Sequence, residues 1–215
     1  MNAILNPERR AFLVKSAAAA GGLAIGVRLL PDASAAGAAE GLTEVTHWIV
    51  IEPDDTVIVR IARSELGQGT FTGLPMLVAE ELECDWNKVR AEYADVNEHI
   101  RRNRVFGSMS TGGSRGIRDS HKYVREAGAA ARQMLVAAAA QQWGVEAAEL
   151  GVAKGVVFHT ASGRAARYGQ LAGAASKLPV PKEPALKDPA QWKLVGTSPP
   201  RFDIPAKTTG AQVYA

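Results

Sequence analysis

One long helical pattern, whose inward face is almost entirely alanine, restricts the fold more than any other feature of the chain. From Ser114 to about Trp143, Ile117, Val124, Ala127, Ala131, Leu135 and Ala138 recur at helical spacing, and Gly144 stands where such a helix stops. Small side chains let a helix backbone approach its neighbour closely, so this helix is expected to lie directly on strands rather than in solvent. The chain has 215 residues, 47% of them hydrophobic, enough to close a core behind that face.

Around the helix the pattern alternates between strand and helix types. Val45 to Glu52 and Thr56 to Ala62 are rich in β-branched residues, and Pro53-Asp54-Asp55 supplies turn chemistry between them, which predicts a hairpin. Phe71 to Leu82 carries Leu74, Leu77, Val78 and Leu82 on one helical stripe, and Lys88 to Val96 reads as a further strand. A polar loop rich in Arg and Gly is expected from Asn97 to Gly113, a length that points to function. Glu146 to Leu150 reads as a helical turn, and Val156 to His159, Ser162-Gly163 and Tyr168 to Ala175 as a small strand, turn and helix. The predicted fold class is α+β, a mixed sheet with helices packed on it, over residues 36–176. Prolines at 179, 181, 184, 189, 199, 200 and 205 mark residues 177–205 as a linker, with the start of a further domain at 206–215.

The first 35 residues have the order of an export signal. Arg9-Arg10-Ala11-Phe12-Leu13 forms a basic start, Ala17 to Val27 an apolar stretch, and Ala33-Ser34-Ala35 a small-residue cleavage site. Paired arginines before a weakly hydrophobic, Ala/Gly-rich run predict a twin-arginine signal read by the Tat translocon, hence a periplasmic protein exported already folded. That route suits proteins that acquire a complex cofactor before export. The apolar run is shorter than the ~20 residues of a spanning helix, and Arg28 interrupts it. Without these residues the chain keeps 21 of 25 basic and 20 of 22 acidic side chains, a balance that gives no electrostatic reason to expect a nucleic-acid partner. Cys84 is the single cysteine, so the chain cannot by itself form a disulfide, a cysteine zinc site or an iron–sulfur cluster.

Two glycine-rich segments stand where a strand or loop meets a helix. In the first, Glu65-Leu66-Gly67-Gln68-Gly69-Thr70, the glycines permit close backbone approach and the Gln68 amide offers a donor and an acceptor suited to a heterocycle edge. In the second, Ser110-Thr111-Gly112-Gly113-Ser114-Arg115, free N–H groups at the start of the long helix favour an anion such as phosphate, to which Arg115 can add charge-assisted bonds. Neither has the Gly-Lys-Ser/Thr ending of a Walker loop or the three-glycine Rossmann spacing, which disfavours nucleoside triphosphates and nicotinamide.

In this order, and behind this leader, the segments resemble the molybdopterin-binding large subunits of the xanthine dehydrogenase family, in particular the isoquinoline 1-oxidoreductase beta subunits and periplasmic aldehyde oxidoreductases. Ser64 to Gly69 resembles their Gly-Gln-Gly loop, and Thr111 to Arg115 resembles the loop that holds the pterin and its phosphate or cytidine end. Arg201-Phe202-Asp203-Ile204-Pro205-Ala206-Lys207-Thr208-Thr209-Gly210 resembles the segment that opens the next, hammerhead-like domain. The resemblance implies a molybdenum hydroxylase acting on an aldehyde or N-heterocycle, with molybdopterin cytosine dinucleotide as cofactor and an iron–sulfur small subunit as electron acceptor. It assigns cofactor contacts to Gly67, Gln68, Gly69, Thr70, Thr111, Gly112, Gly113, Ser114 and Arg115. It assigns no catalytic residue and no metal ligand to this chain. Members of the family are several times longer, and their Gly-Gly-Phe-Gly-Gly loop and catalytic glutamate lie beyond the matching portion. The chain therefore resembles the amino-terminal cofactor-binding part of such a large subunit, cropped or separately encoded, with the remainder of that polypeptide as a further partner.

Other polar residues read more plainly. His47, His99, His121 and His159 lack ligand spacing, Glu65 is expected to play a structural role beside its loop, and Arg101, Arg102 and Arg104 read as solvated. Trp48, Trp86, Trp143 and Trp192 are too scattered for a stacking platform and are assigned to packing. Two alternatives stay open at this point: a non-catalytic periplasmic binding or assembly module with the same fold, and an exported structural protein whose glycine loops are only turns.

Overall fold

The computed structural model describes residues 43–212; the expected leader, residues 1–35, lies outside the described residues. β-Branched residues build a first sheet of β1 (Thr43–Thr46), β2 (Ile49–Ile51), β3 (Val57–Ile61) and β4 (Val89–Tyr93), adjacent in that order. β1, β2 and β3 are antiparallel neighbours, whereas β4 runs parallel to β3. The expected turn between β2 and β3 is present, with the Asp54 carboxylate accepting from Thr56 N at 2.9 Å. The stretch from Val45 to Glu52, expected as one strand, is itself a hairpin that reverses at His47 and Trp48. Trp48 is buried there and stacks on Tyr123 at 4.9 Å, so a core anchor fixes the reversal where β propensity alone would continue the strand.

A parallel neighbour requires a crossover, and α1 (Thr70–Leu82) supplies it, burying the predicted stripe of Leu74, Leu77, Val78 and Leu82. The segment after β4 is not all loop. α2 (Val96–Arg101) opens on an Asp95 cap whose carboxylate accepts from Glu98 N at 2.8 Å.

The long helical pattern is broken into a single turn, α3 (Arg115–Arg118), and a 23-residue helix, α4 (His121–Trp143). Fully buried Ser120 lies at the break, its hydroxyl accepting from Arg63 Nε at 3.0 Å and from Tyr123 OH at 2.8 Å. The small-residue face of α4 rests chiefly on α1, next on the later helix at Tyr168–Ala175 and only to a lesser extent on β1 and β2, which corrects the expectation that strands would be its main partner. The reason is Gly128. A Cβ there would come within 2.5 Å of the Val78 carbonyl oxygen and 3.0 Å of Glu81 Cβ, a closeness open to a glycine between two helices.

A second, antiparallel sheet follows, made of β5 (Leu150–Ala153), β6 (Val156–His159) and β7 (Arg164–Arg167), and α5 (Tyr168–Ala175) returns to the core. Periodicity alone does not predict β5 and β7. The signal for β5 is Lys154-Gly155, a two-residue turn in which both residues have positive φ, 47° and 77°. Tyr168, completely buried, donates to the Leu82 carbonyl at 2.6 Å, and Gly155 N donates to the Glu83 carbonyl at 2.9 Å, so this sheet is tied to the end of α1.

The proline-rich segment lies along α1 and is held by two buried carboxylates. Glu80 accepts from Lys187 Nζ at 2.6 Å and, through Oε2, from the consecutive amides of Lys193, Leu194 and Val195 at 2.9, 2.6 and 3.1 Å. Glu81, 0% exposed, pairs with Arg125 at 2.6 Å and accepts from Lys187 N at 2.9 Å. A short helix, α6 (Ile204–Thr209), closes the described chain.

This packing makes two substitutions informative. Gly128→Ala gains about 1 kcal/mol of helix propensity, but overpacking a rigid helix contact costs about 1–3 kcal/mol, so thermal denaturation should show a net loss of stability and a larger one for Gly128→Val. For Glu80, burial works against the charge, but Lys187 and the three amides outweigh it and hold the carboxyl below the usual carboxylate range. Its stabilisation is therefore complete above the ordinary glutamate pKa and is lost as pH falls through the lowered value. The protection of the 193–195 amides, taken relative to the intrinsic exchange rate at each pH, should fall on acidification, and Glu80→Gln should raise their exchange at neutral pH.

Candidate cofactor-binding site

Both glycine loops emerge beside one another because the helices they introduce are packed together. Ser64 N donates to Thr111 Oγ1 at 2.8 Å, bonding the first loop to the second. Gly116, buried in α3, lies so close to α1 that a Cβ would stand 2.7 Å from the Thr70 methyl and 4.0 Å from Gln68 Nε2. The two segments thus form one surface.

The first loop owes its shape to Glu65. The backbone takes φ of 112° at Gly67 and 88° at Gly69, conformations that suit glycine. Glu65, with a side chain only 3% exposed, accepts from Gly67 N at 2.7 Å, Gly69 N at 2.9 Å and Phe71 N at 2.9 Å. It caps α1 in place of the Gly69 side chain that does not exist. Burial opposes its charge, yet the three amides and the nearby Arg201 outweigh that and keep the carboxyl below its usual range. A carboxylate so stabilised is ionised at neutral pH and unsuited to proton transfer there, in keeping with the structural role expected of it.

Gln68 differs from its expected role in one respect. Its amide is turned into the loop, Oε1 accepting from Leu66 N at 2.5 Å and Nε2 donating to the Ser64 carbonyl at 2.8 Å and to Thr70 Oγ1 at 3.0 Å. The amide serves the loop's geometry, and Thr70, only 1% exposed, is held beneath it.

The second loop is open. Gly112, Gly113, Ser114 and Arg115 are all exposed, and nothing lies within 4 Å of a Cβ added at Gly112. Ser114 adopts φ 56° and makes no side-chain cap. The helix it opens is one turn long rather than the long helix expected, because Arg63 and Tyr123 fix Ser120 at the break. The helix dipole behind this loop is correspondingly small, and guanidinium groups carry the attraction for an anion. Arg115, 48% exposed, touches Ser110 Oγ at 3.4 Å and the Gly112 carbonyl at 3.3 Å, and Arg118 is 68% exposed. A cavity of about 520 Å³ opens beside them, lined by Arg63, Ser108, Arg115 and Asp119 and walled by the rings of Trp48 and Tyr123. Exposed hydroxyls, glycine backbone and guanidinium groups are the donor set a phosphorylated ligand requires, so the second loop fits such a group.

Sequence reasoning missed two arginines. Arg63 is 4% exposed and donates to the Ser110 carbonyl as well as to Ser120, holding the second loop from below. Its signal was present, since the inward phase of Val57, Val59 and Ile61 extends to position 63. Arg201 donates to the Gly67 carbonyl at 3.1 Å and to Glu65 at 3.2 Å, and Phe202 N donates to Thr72 Oγ1 at 3.0 Å. A contact across 134 positions leaves no trace in local pattern. The tryptophans pack as expected where contacts are seen: Trp48 on Tyr123, Trp86 on Phe202 at 4.9 Å, and Trp192 under Arg125 at 5.0 Å. Among the described residues no group of three His, Cys, Asp or Glu side chains could hold a metal ion, and no helix is long and apolar enough to cross a membrane.

Comparison with known proteins places the chain among relatives. The beta subunit of isoquinoline 1-oxidoreductase from Brevundimonas diminuta is 32% identical over 243 aligned residues, covering 96% of this chain and 31% of that protein. The membrane-bound aldehyde dehydrogenase [pyrroloquinoline-quinone] of Gluconacetobacter polyoxogenes is 35% identical, covering 81% of this chain and 22% of that protein. A nicotinate dehydrogenase subunit of Pseudomonas putida is 29% identical, covering 80% and 14%. The chain thus spans about a third or less of the length of these relatives. Among solved structures, the Cu,Mo-CO dehydrogenase in its carbon monoxide reduced state aligns with TM-score 0.45 and 22% identity, over 64% of this chain and 17% of that one. The model of the molybdopterin cofactor-binding domain matches residues 8–214, nearly the whole chain, and to that family the chain belongs.

Proposed function

We propose that this chain is the amino-terminal cofactor-holding portion of a molybdenum hydroxylase that oxidises an aldehyde or an N-heterocycle. The observation that carries the reading is the junction of the two loops, where Ser64 N meets Thr111 Oγ1 and Gly116 abuts Thr70. When bound, the molybdopterin group supplies the redox chemistry of the hydroxylation. The chain's own residues bind and orient it. Gly112, Gly113, Ser114 and Arg115 would hold its phosphorylated end, with cytosine dinucleotide as the form proposed. Gly67, Gln68, Gly69 and Thr70 would present a fixed backbone to the pterin, shaped from within by Glu65. No residue of this chain is assigned a proton-transfer step, and electrons are proposed to leave through an iron–sulfur partner protein.

Export completes the proposal. The paired Arg9 and Arg10 ahead of an Ala/Gly-rich run support passage through the Tat translocon to the periplasm after the cofactor has been inserted.

Two measurements test these readings. Purified from a molybdenum-replete host together with the products of neighbouring genes, the protein should carry molybdenum and release a fluorescent pterin on denaturation. Arg115→Gln removes one charge-assisted contact, commonly about 1.5–3 kcal/mol, and should weaken pterin retention about tenfold or more while the cofactor-free protein melts as the wild type does. A preparation free of pterin under these conditions would favour a non-catalytic module. For export, replacing Arg9 and Arg10 with lysine should leave the protein in the cytoplasmic fraction, and unchanged periplasmic recovery would refute the Tat assignment.

A further inference from the structure

The first glycine loop is a stretch of backbone with little packing to hold it. Leu66 is 76% exposed, Gly67 and Gln68 are exposed as well, and the left-handed conformations at Gly67 and Gly69 belong to the residue type that loses most conformational freedom on ordering. Its shape therefore rests on polar bonds. Thr111 and Tyr93 tie its start, their hydroxyls accepting from Ser64 N at 2.8 Å and from Glu65 N at 3.2 Å. Its turn is reached from outside by Arg201, which donates through Nη1 to the Gly67 carbonyl at 3.1 Å and through Nη2 to Glu65 Oε1 at 3.2 Å, the same oxygen that accepts from Gly67 N and Gly69 N. One guanidinium thus grips both the outer backbone of the turn and the carboxylate that organises it from within.

Arg201 is itself aimed by the segment it belongs to. Asp203, 6% exposed, takes Nε at 3.0 Å and Nη2 at 2.7 Å on its two oxygens, which fixes the plane of the fork. Lys207, in α6, donates to the same carboxylate at 2.5 Å. The bonds from Arg201 and Lys207 hold the Asp203 carboxyl down to about 2, so this anchor is charged throughout the neutral range. Phe202 seats the segment, its N–H donating to the hydroxyl of buried Thr72 on α1 at 3.0 Å and its ring stacking on Trp86 at 4.9 Å.

We propose that Arg201 is a positioning residue for the cofactor loop, and that through it the seating of residues 201–209 and the holding of the cofactor are coupled. This rests on the reading of Gly67 to Thr70 as backbone presented to the pterin. A loop ordered in advance spares the ligand the cost of ordering it, so releasing Arg201 weakens binding through the loop. Linkage makes the effect mutual: a bound cofactor that holds the loop also holds the segment clipped to it.

Amide exchange in the cofactor-free full chain tests the positioning, and pterin retention tests its consequence. In Arg201→Gln, exchange at Gly67, Gly69 and Phe71 should rise several-fold, while the amides around Leu135, fully buried in α4, exchange as in the wild type. Arg201→Lys keeps the charge but loses the fork and should fall between the two. Asp203→Asn leaves Arg201 in place but loosens its aim, and should raise exchange at the same three amides. On the loaded protein, Arg201→Gln should release pterin several-fold faster, and the wild type should exchange more slowly over residues 204–209 with cofactor than without it. Unchanged exchange at Gly67 and Gly69 in Arg201→Gln, a rise matched by that around Leu135, or equal pterin release by the two proteins would each overturn the proposal. A wild type that carries no pterin in any preparation would overturn the functional reading and the coupling with it, while the exchange measurements would still decide whether Arg201 positions the loop.

Discussion

The contact between α1 and α4 at Gly128 is the constraint on which the rest of the structure depends. With the Val78 carbonyl occupying the space a side chain would need, the two helix backbones are fixed at short range along their length. One glycine loop opens α1 and the other opens α3, the turn that leads through Ser120 into α4, so the packing of α4 on α1 brings the loops together. The bond from Ser64 to Thr111 and the fit of Gly116 on Thr70 are downstream of that choice. Helix packing here performs the work that a shared strand performs in phosphate sites built on a single crossover.

α1 also gathers much of the buried charge among the described residues. Its start is neutralised by Glu65, its middle carries Glu80 and Glu81, and every one of these carboxylates is met by amides or by a cation from a distant part of the chain. Apolar residues of similar size could match such pairs in stability, but they would not dictate where the returning chain lies. Three successive amides on one oxygen of Glu80 define a single path for residues 193–195.

Much of this is legible in the sequence. The α1 stripe, the turn at Pro53-Asp54-Asp55, the Tyr168–Ala175 helix and the position of both loops follow from periodicity and turn chemistry, and the structure places them accordingly. What escapes are features decided by partners far away in sequence. The Trp48 reversal depends on Tyr123, the break at Ser120 depends on Arg63, and the proline-rich segment owes its order to Glu80 and Glu81, none of which a local window reveals. The alanine face announces a close-packing surface, but composition cannot say whether a sheet or a helix will fill it. Gln68 shows the same limit in the site, since an amide suited to an external ligand is equally suited to closing its own loop.

The capping of α1 by Glu65 gives the paired loops a polarity. One loop already contains its own anion, while its neighbour presents guanidinium groups with weak partners. An elongated guest with one anionic and one neutral end therefore finds the two loops unequal, since the helix-start charge is already compensated at one of them and guanidinium groups stand open at the other.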